Sequence, residues 1–127
     1  MSEVPRALLA DADPHSAQVL EPSLQTITEL TMVSTAEEAL RALGEAAFDI
    51  IVIDAALPPA GGVAVLEQAM RLQPSAYRIL LSAARPANFQ ELRRKGLVQD
   101  LIRKPALIDD VVALLQSAPL QSQPTFH

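Results

Sequence analysis

Residues 50–54 read Ile50-Ile51-Val52-Ile53-Asp54, and this stretch decides the fold. Four consecutive β-branched residues are too few for a buried helix. A continuous apolar run of this length suits a strand covered on both faces, as in a parallel sheet. Working outward, Ala7-Leu8-Leu9-Ala10 and Ile79-Leu80-Leu81 have the same character. Thr31-Met32-Val33 and Gln99-Asp100-Leu101-Ile102 are weaker strand candidates.

Helical patterns fill the gaps. Pro14 after Asp13 suits a first helical turn, and Val19, Leu20, Ser23, Leu24 and Ile27 follow at helical spacing. Thr35 with Glu38 three residues on forms a capping-box pattern, ahead of a stripe of Ala39, Leu40 and Leu43 that ends near Gly44. Val63, Leu66, Met70 and Leu72 mark a third helix, stopped before Pro74. Asn88 opens a fourth, closed by Gly96, and Asp109 opens a fifth through Val112 and Leu115. Five β-α units in succession predict an α/β fold, a doubly wound five-stranded parallel sheet with helices on both faces. The flavodoxin-like strand order 2-1-3-4-5 is the expectation. Residues 1–117 form the predicted domain, and the Pro-, Gln- and Ser-rich stretch from Ala118 to His127 reads as a flexible tail or linker.

Composition narrows the function classes. The chain has 127 residues, half of them apolar, which fits one ordinary domain. It lacks cysteine, so disulfides and thiolate metal sites are excluded. With no basic, apolar leader pattern, a cytoplasmic location is expected. No apolar stretch approaches the roughly eighteen residues that span a membrane. The net charge is −5, and the basic residues are scattered apart from Arg93-Arg94-Lys95. Such a chain lacks the basic footprint of a nucleic-acid binder.

In a doubly wound sheet, ligands bind beyond the carboxyl ends of the strands. Those ends carry Asp11 and Asp13, Asp54, Ser82 and Lys104. Singly, a strand-terminal Asp reads as a helix cap, a Ser as a turn residue and a Lys as a solvated cation. Together they specify more. Clustered carboxylates repel one another and call for a hard, oxygen-seeking cation, for which Mg2+ is the natural choice. A carboxylate beside that cation can attack a phosphoryl group and form an aspartyl phosphate. The phosphoryl oxygens then need donors, which a Ser hydroxyl and a Lys ammonium supply.

This constellation resembles the receiver domain of bacterial two-component response regulators, from residue 6 to about residue 117. The stretch from Asp54 through Leu57-Pro58 to Gly62 is similar to the family's phosphorylation loop, with its acceptor Asp, hydrophobic-Pro pair and a Gly eight residues after the Asp. Ser82-Ala83 resembles the family's switch pair and Lys104-Pro105 its Lys-Pro pair, 28 and 50 residues after Asp54. The resemblance implies that Asp54 accepts a phosphoryl group from a sensor histidine kinase or phosphotransfer protein. Asp11, Asp13, Asp54 and the backbone carbonyl of Ala56 would hold Mg2+. Ser82 and Leu101 would switch, and Lys104 would pair with the phosphate, aimed by Pro105 after a cis bond. With Asp54, Lys104 and Ser82 as its catalytic set, the domain would promote only its own phosphorylation and dephosphorylation, so it is not counted as an enzyme. The output would be a two-state shift of the surface of helix four, strand five and helix five, through which a homodimer could also form.

The match departs from the family at several positions. Ala12 stands where the family has a second acid, which should weaken Mg2+ binding unless Asp13 turns inward. Asp13 before Pro14 could instead serve only as a helix cap. Leu101 replaces the family's usual aromatic three residues before the lysine. Ala56 and Ala84, two past the acceptor and two past the switch residue, offer no polar group to an attacking water. Arg78, Arg85 and Arg103 are read as flanking the same edge, solvated or, for Arg85, in contact with a phosphodonor. Two alternatives stand beside the phosphorylatable receiver. One is a degenerate receiver acting as an interaction or dimerisation module. The other is a dehalogenase-like phosphohydrolase built on Asp11-Ala12-Asp13, with Ser82, Lys104 and Asp109-Asp110 as later motifs.

Overall fold

A computed structural model of the chain describes residues 4–105 and 108–117. The elements are β1 (Arg6–Ala10), α1 (Pro14–Ile27), β2 (Glu29–Val33), α2 (Ala36–Glu45), β3 (Ile50–Asp54), α3 (Val63–Leu72), β4 (Tyr77–Ser82), α4 (Phe89–Arg94), β5 (Asp100–Arg103) and α5 (Ile108–Ser117). All five strands are parallel and lie in the order β2-β1-β3-β4-β5, as expected from the sequence. The predicted tail from Ala118 lies outside the described residues.

The period-2 alternation of the strands divides their side chains between two cores. Ile51 and Ile53 of β3, with Leu8 and Leu80 beside them, pack on α2, α3 and α4 through Leu43, Leu66 and Leu92. Ile50 and Val52, with Leu9, Ile79 and Leu81, pack on α1 and α5 through Leu20, Leu24, Val111 and Leu115. Both faces of the sheet are therefore dry, which is why its strands read as continuous apolar runs. Each fully buried aliphatic side chain contributes roughly 1.5–3 kcal/mol.

The apolar stripes of the helices are narrower than their sequence periodicity implies. Val19, Leu40, Val63 and Leu72 all belong to predicted stripes, yet they are exposed. A helix on a sheet buries only an arc of its surface, and these residues sit at the margins of that arc.

The start of α2 follows the capping box with a shift of one residue. Thr35 Oγ1 accepts the Glu38 N–H at 3.2 Å, while Glu38 Oε1 accepts the N–H of Ser34 at 2.9 Å rather than that of Thr35. The two bonds from Ser34, backbone first, hold the Glu38 carboxyl below its ordinary range. Thr35→Ala removes one satisfied helix N–H and should lower unfolding stability by about 1 kcal/mol, read from urea denaturation.

Candidate functional site

The sheet changes winding direction between β1 and β3, because α1 leads outward to β2 and α2 leads back across to β3. Such a switch point opens a crevice at the carboxyl ends of the two strands. Asp11 directly follows β1, with its N–H tied to Val33 O at 3.0 Å. Asp54 is the last residue of β3, and Lys104 follows β5, with its N–H on Ser82 O at 2.8 Å.

These three side chains meet. Lys104 Nζ donates to Asp54 Oδ2 at 2.8 Å and to Asp11 Oδ1 at 3.2 Å. The second oxygens are treated differently. Asp54 Oδ1 accepts the Ala56 N–H at 2.9 Å, whereas Asp11 Oδ2 is buried and has no hydrogen-bond partner among the described residues. Both carboxylates are almost fully buried, at 4% exposure for Asp11 and 3% for Asp54.

Burial and proximity separate the two acids. Burial, and then the neighbouring Asp54 carboxyl, push Asp11 above the ordinary carboxylate range despite the Asp13 N–H and Lys104. Burial also acts to raise Asp54, but the adjacent Asp11 carboxyl, the Lys104 ammonium and the Ala56 N–H together hold it below that range. Lys104 is raised, because the two carboxylates outweigh the burial of its ammonium. Burial and proximity thus push the two acids in opposite directions, Asp11 up and Asp54 down.

Other residues proposed from the sequence surround this centre, and Ala56 and Asp13 reach it through their backbone N–H groups on Asp54 and Asp11. Asp13 is exposed and is the N-cap of α1, where its Oδ1 accepts the His15 N–H at 2.9 Å. Among the described residues, no three acidic or histidine side chains converge as a metal-ligand set. Ala56 lies in the exposed turn after Asp54. The Ser82 hydroxyl is used locally, donating to Ala84 O at 2.6 Å. Leu101 is half-buried against the core of the α2–α4 face. The Lys104–Pro105 bond is cis. Arg85 places its guanidinium 4.7 Å from the Phe89 ring centroid, and Arg103 is exposed.

Arg78 corrects the sequence reading. It is not at this edge and not solvated: it is the second residue of β4, at the opposite end of the strand from Ser82, and is 4% exposed. Backbone carbonyls from two loops surround its guanidinium and replace water.

The β3–α3 loop also explains a glycine. Gly62 donates its N–H to Ala55 O at 3.0 Å and lies flat on the end of β3. A Cβ there would collide with the Asp54 carbonyl and approach Ile53 Cγ2 to 2.8 Å. The backbone carrying the acidic residue can therefore close only over a glycine.

A buried, lysine-bridged acid pair at the switch point of a flavodoxin-like sheet is the architecture of a small signalling module. The chain belongs to the response regulator receiver domain family, whose pattern matches residues 7–116. It is thus a receiver domain of two-component signalling, and the dehalogenase-like reading falls away. Asp109 and Asp110, needed by that reading as a strand-end motif, lie in the first turn of α5.

Solved structures agree with the fold. The BeF3-activated DrrB receiver domain is 20% identical with a TM-score of 0.80, covering 90% of this chain and 96% of that one. The chain spans about half (52%) of a longer structure of DrrB, described as a Thermotoga maritima OmpR/PhoB homolog. The Francisella response regulator 1452 receiver domain is 26% identical, with a TM-score of 0.77 and coverages of 88% and 93%. A Burkholderia pseudomallei response regulator, solved with a phosphorylated aspartic acid, calcium ion and citrate, is 23% identical, with a TM-score of 0.78 and coverages of 89% and 67%. No curated protein sequence matches the chain significantly.

Two outcomes test the geometry. Gly62→Ala should destabilise the protein by about 1–3 kcal/mol in urea unfolding, as overpacking against backbone does. Lys104→Met leaves the acid pair without a counter-charge and should cost on the order of 3 kcal/mol at neutral pH. The folded variant would then bind a proton more tightly than its unfolded chain, so its stability should recover as pH falls through the carboxylate range. In the wild type the Asp54 contribution has the opposite sign, being lost as pH falls through its depressed folded value.

Proposed function

We propose that Asp54 is the phosphoryl acceptor of this receiver. The observation that carries the reading is the pairing of its Oδ2 with Lys104 beside the unpartnered, buried Asp11 Oδ2. The donor would be a phosphohistidine on a sensor histidine kinase or phosphotransfer protein. An Asp54 carboxylate oxygen forms the new bond to phosphorus. The phosphorus–nitrogen bond breaks, and its electron pair stays on the imidazole, which takes a proton. Keeping Asp54 ionised at neutral pH suits it as the nucleophile.

The residues present fit a divalent cation, because a buried oxygen without a donor is costly and a cation would satisfy it. Asp11 and Asp54 would hold Mg2+, with the carbonyl of Ala56 as a further oxygen, and Ala12 supplies none. When bound, Mg2+ neutralises the acid pair and the incoming phosphoryl oxygens. Lys104 would follow its charge partner from the carboxylate of Asp54 to the phosphoryl group. The Ser82 hydroxyl would exchange its bond to Ala84 O for a phosphoryl oxygen and draw the Ala83–Ala84 segment with it. Leu101 would repack behind that segment, and the surface of α4, β5 and α5 would carry the change to a partner or a second copy.

A second reading is favoured by one observation. Asp13 caps α1, so nothing replaces the acid missing at Ala12 and the metal set is one carboxylate short of the family's usual complement. On that reading the fold serves as a phosphorylation-independent interaction module.

Titration with Mg2+ followed by beryllofluoride, monitored by amide NMR shifts, separates the two. Saturable shifts spreading from Asp54 to Ser82 and Lys104, abolished in Asp54→Asn, are expected for the phosphoacceptor. Absence of any shift at millimolar Mg2+ with beryllofluoride would leave the interaction module.

A further inference from the structure

The loop that follows Asp54 reads Ala55-Ala56-Leu57-Pro58-Pro59-Ala60-Gly61-Gly62. Its flanks are held by local contacts. The Ala55 N–H donates to Leu81 O at 2.8 Å, Leu57 is fully buried, and Gly62 lies on the end of β3. The exposed crest between them is held differently. Pro58 and Pro59 have no N–H, so the chain can be tied down there only through its carbonyls. Among the described residues, residues 58–60 make one hydrogen bond to another element, in which the Ala36 N–H donates to Pro58 O at 2.9 Å.

That donor is the first amide of α2. The first N–H groups of a helix have no acceptor within it and must find one outside. Thr35 Oγ1 serves the third, that of Glu38. The first is served by the loop after β3, a segment remote in the sequence.

The tie bears on the Ala56 peptide. Ala56 lies between Asp54 and Pro58, and its N–H donates to Asp54 Oδ1 at 2.9 Å. Its carbonyl is the oxygen that would join Asp11 and Asp54 around the cation. With Pro58 O pinned to α2 and Leu57 sunk in the core, the segment from Asp54 to Pro58 has fixed points on both sides of Ala56. A site group keeps its geometry only when its supports are themselves locked. Releasing Pro58 leaves the Ala56 peptide free to rotate, which loosens a donor to Asp54 and an oxygen for the cation together.

We propose that the backbone N–H of Ala36 is a positioning group for the phosphoacceptor loop, setting the Ala56 peptide against Asp54 from the start of α2. Its effect on the cation rests on the reading of Asp54 as the acceptor, and its effect on the ligand-free loop does not.

Ala36→Pro tests it. Proline is favoured as the first residue of a helix and removes the N–H in question. It also calls for an extended residue before it, and Thr35 has φ −136° and ψ 160°. Ala36→Ser keeps the N–H and serves as the control. In the ligand-free protein, the Ala56 and Gly61 amides should lose about tenfold in hydrogen-exchange protection in Ala36→Pro and stay within about twofold in Ala36→Ser. The Gln73 amide, at the end of α3, should stay within about twofold in both. The Mg2+ dissociation constant from amide shifts should rise about tenfold in Ala36→Pro alone.

Unchanged protection at Ala56 and Gly61 in Ala36→Pro, or an equal loss in Ala36→Ser, would overturn the proposal. In the wild type, Ala36 should be at least about tenfold better protected than Glu37, whose N–H has no acceptor among the described residues. Equal protection of the two would overturn the proposal even where neither variant folds. An unaltered Mg2+ affinity in Ala36→Pro beside a normal wild-type response would overturn the positioning alone. No Mg2+ response in the wild type would overturn the Asp54 reading, and the exchange results would still decide the positioning.

Discussion

Lys104 lies between two carboxylates that the fold has taken out of water, and the acidic end of the molecule depends on that contact. Burying a single carboxylate costs several kcal/mol, and two side by side repel each other as well. One ammonium at 2.8 Å from Asp54 and 3.2 Å from Asp11 offsets both effects. The pairing also dictates the kind of residue required. The strand β4 separates β3 from β5, so the cation must span about two strand spacings, roughly 10 Å. A lysine stem covers that distance together with the reach of an aspartate, and a short side chain would not.

Sheet topology makes this contact available. Asp11, Asp54 and Lys104 are far apart in the chain and belong to strands one, three and five. Only the order β2-β1-β3-β4-β5 sets β1 beside β3 with β5 on the same side. The dry helices on both faces then lower the local dielectric and force the acid pair to differ. Asp11 is raised by burial, while Asp54 is held down by its hydrogen bonds. The site thus sets two carboxylates shifted in opposite directions against one ammonium.

The molecule has two polar poles with opposite character. At the acidic pole, Asp11 Oδ2 has no partner among the described residues and the Ser82 hydroxyl rests on the Ala84 carbonyl. At the other end, Gln73 and Arg78 bind backbone carbonyls at the end of α2 and in the loops after α3 and α4.

Much of this was legible in one dimension. Continuous apolar runs ending at Asp11, Asp54 and Ser82 implied buried parallel strands with polar groups at their carboxyl ends, because both-face burial favours apolar residues along a strand. Turn chemistry marked the helix starts at Asp13 and Thr35, and the spacing from Asp54 to Gly62, Ser82 and Lys104 pointed to the family. Other features depended on contacts between distant segments. Whether Asp13 would turn inward or cap α1 was open until the backbone beside Pro14 was placed. Arg78 read as a solvated charge at a strand end, since the carbonyls that bury it come from two loops, after α3 and after α4, that are separate in the sequence. The margins of the helix stripes at Val19, Leu40 and Leu72 were equally hidden, because periodicity gives the direction of a face but not the width of the surface it meets. The sequence by itself determined the elements, their order and the chemistry at the strand ends, all of which follow from local pattern. Only the tertiary structure decided which charges pair and which carbonyls a guanidinium could gather, since those choices are made between residues that share space and not sequence.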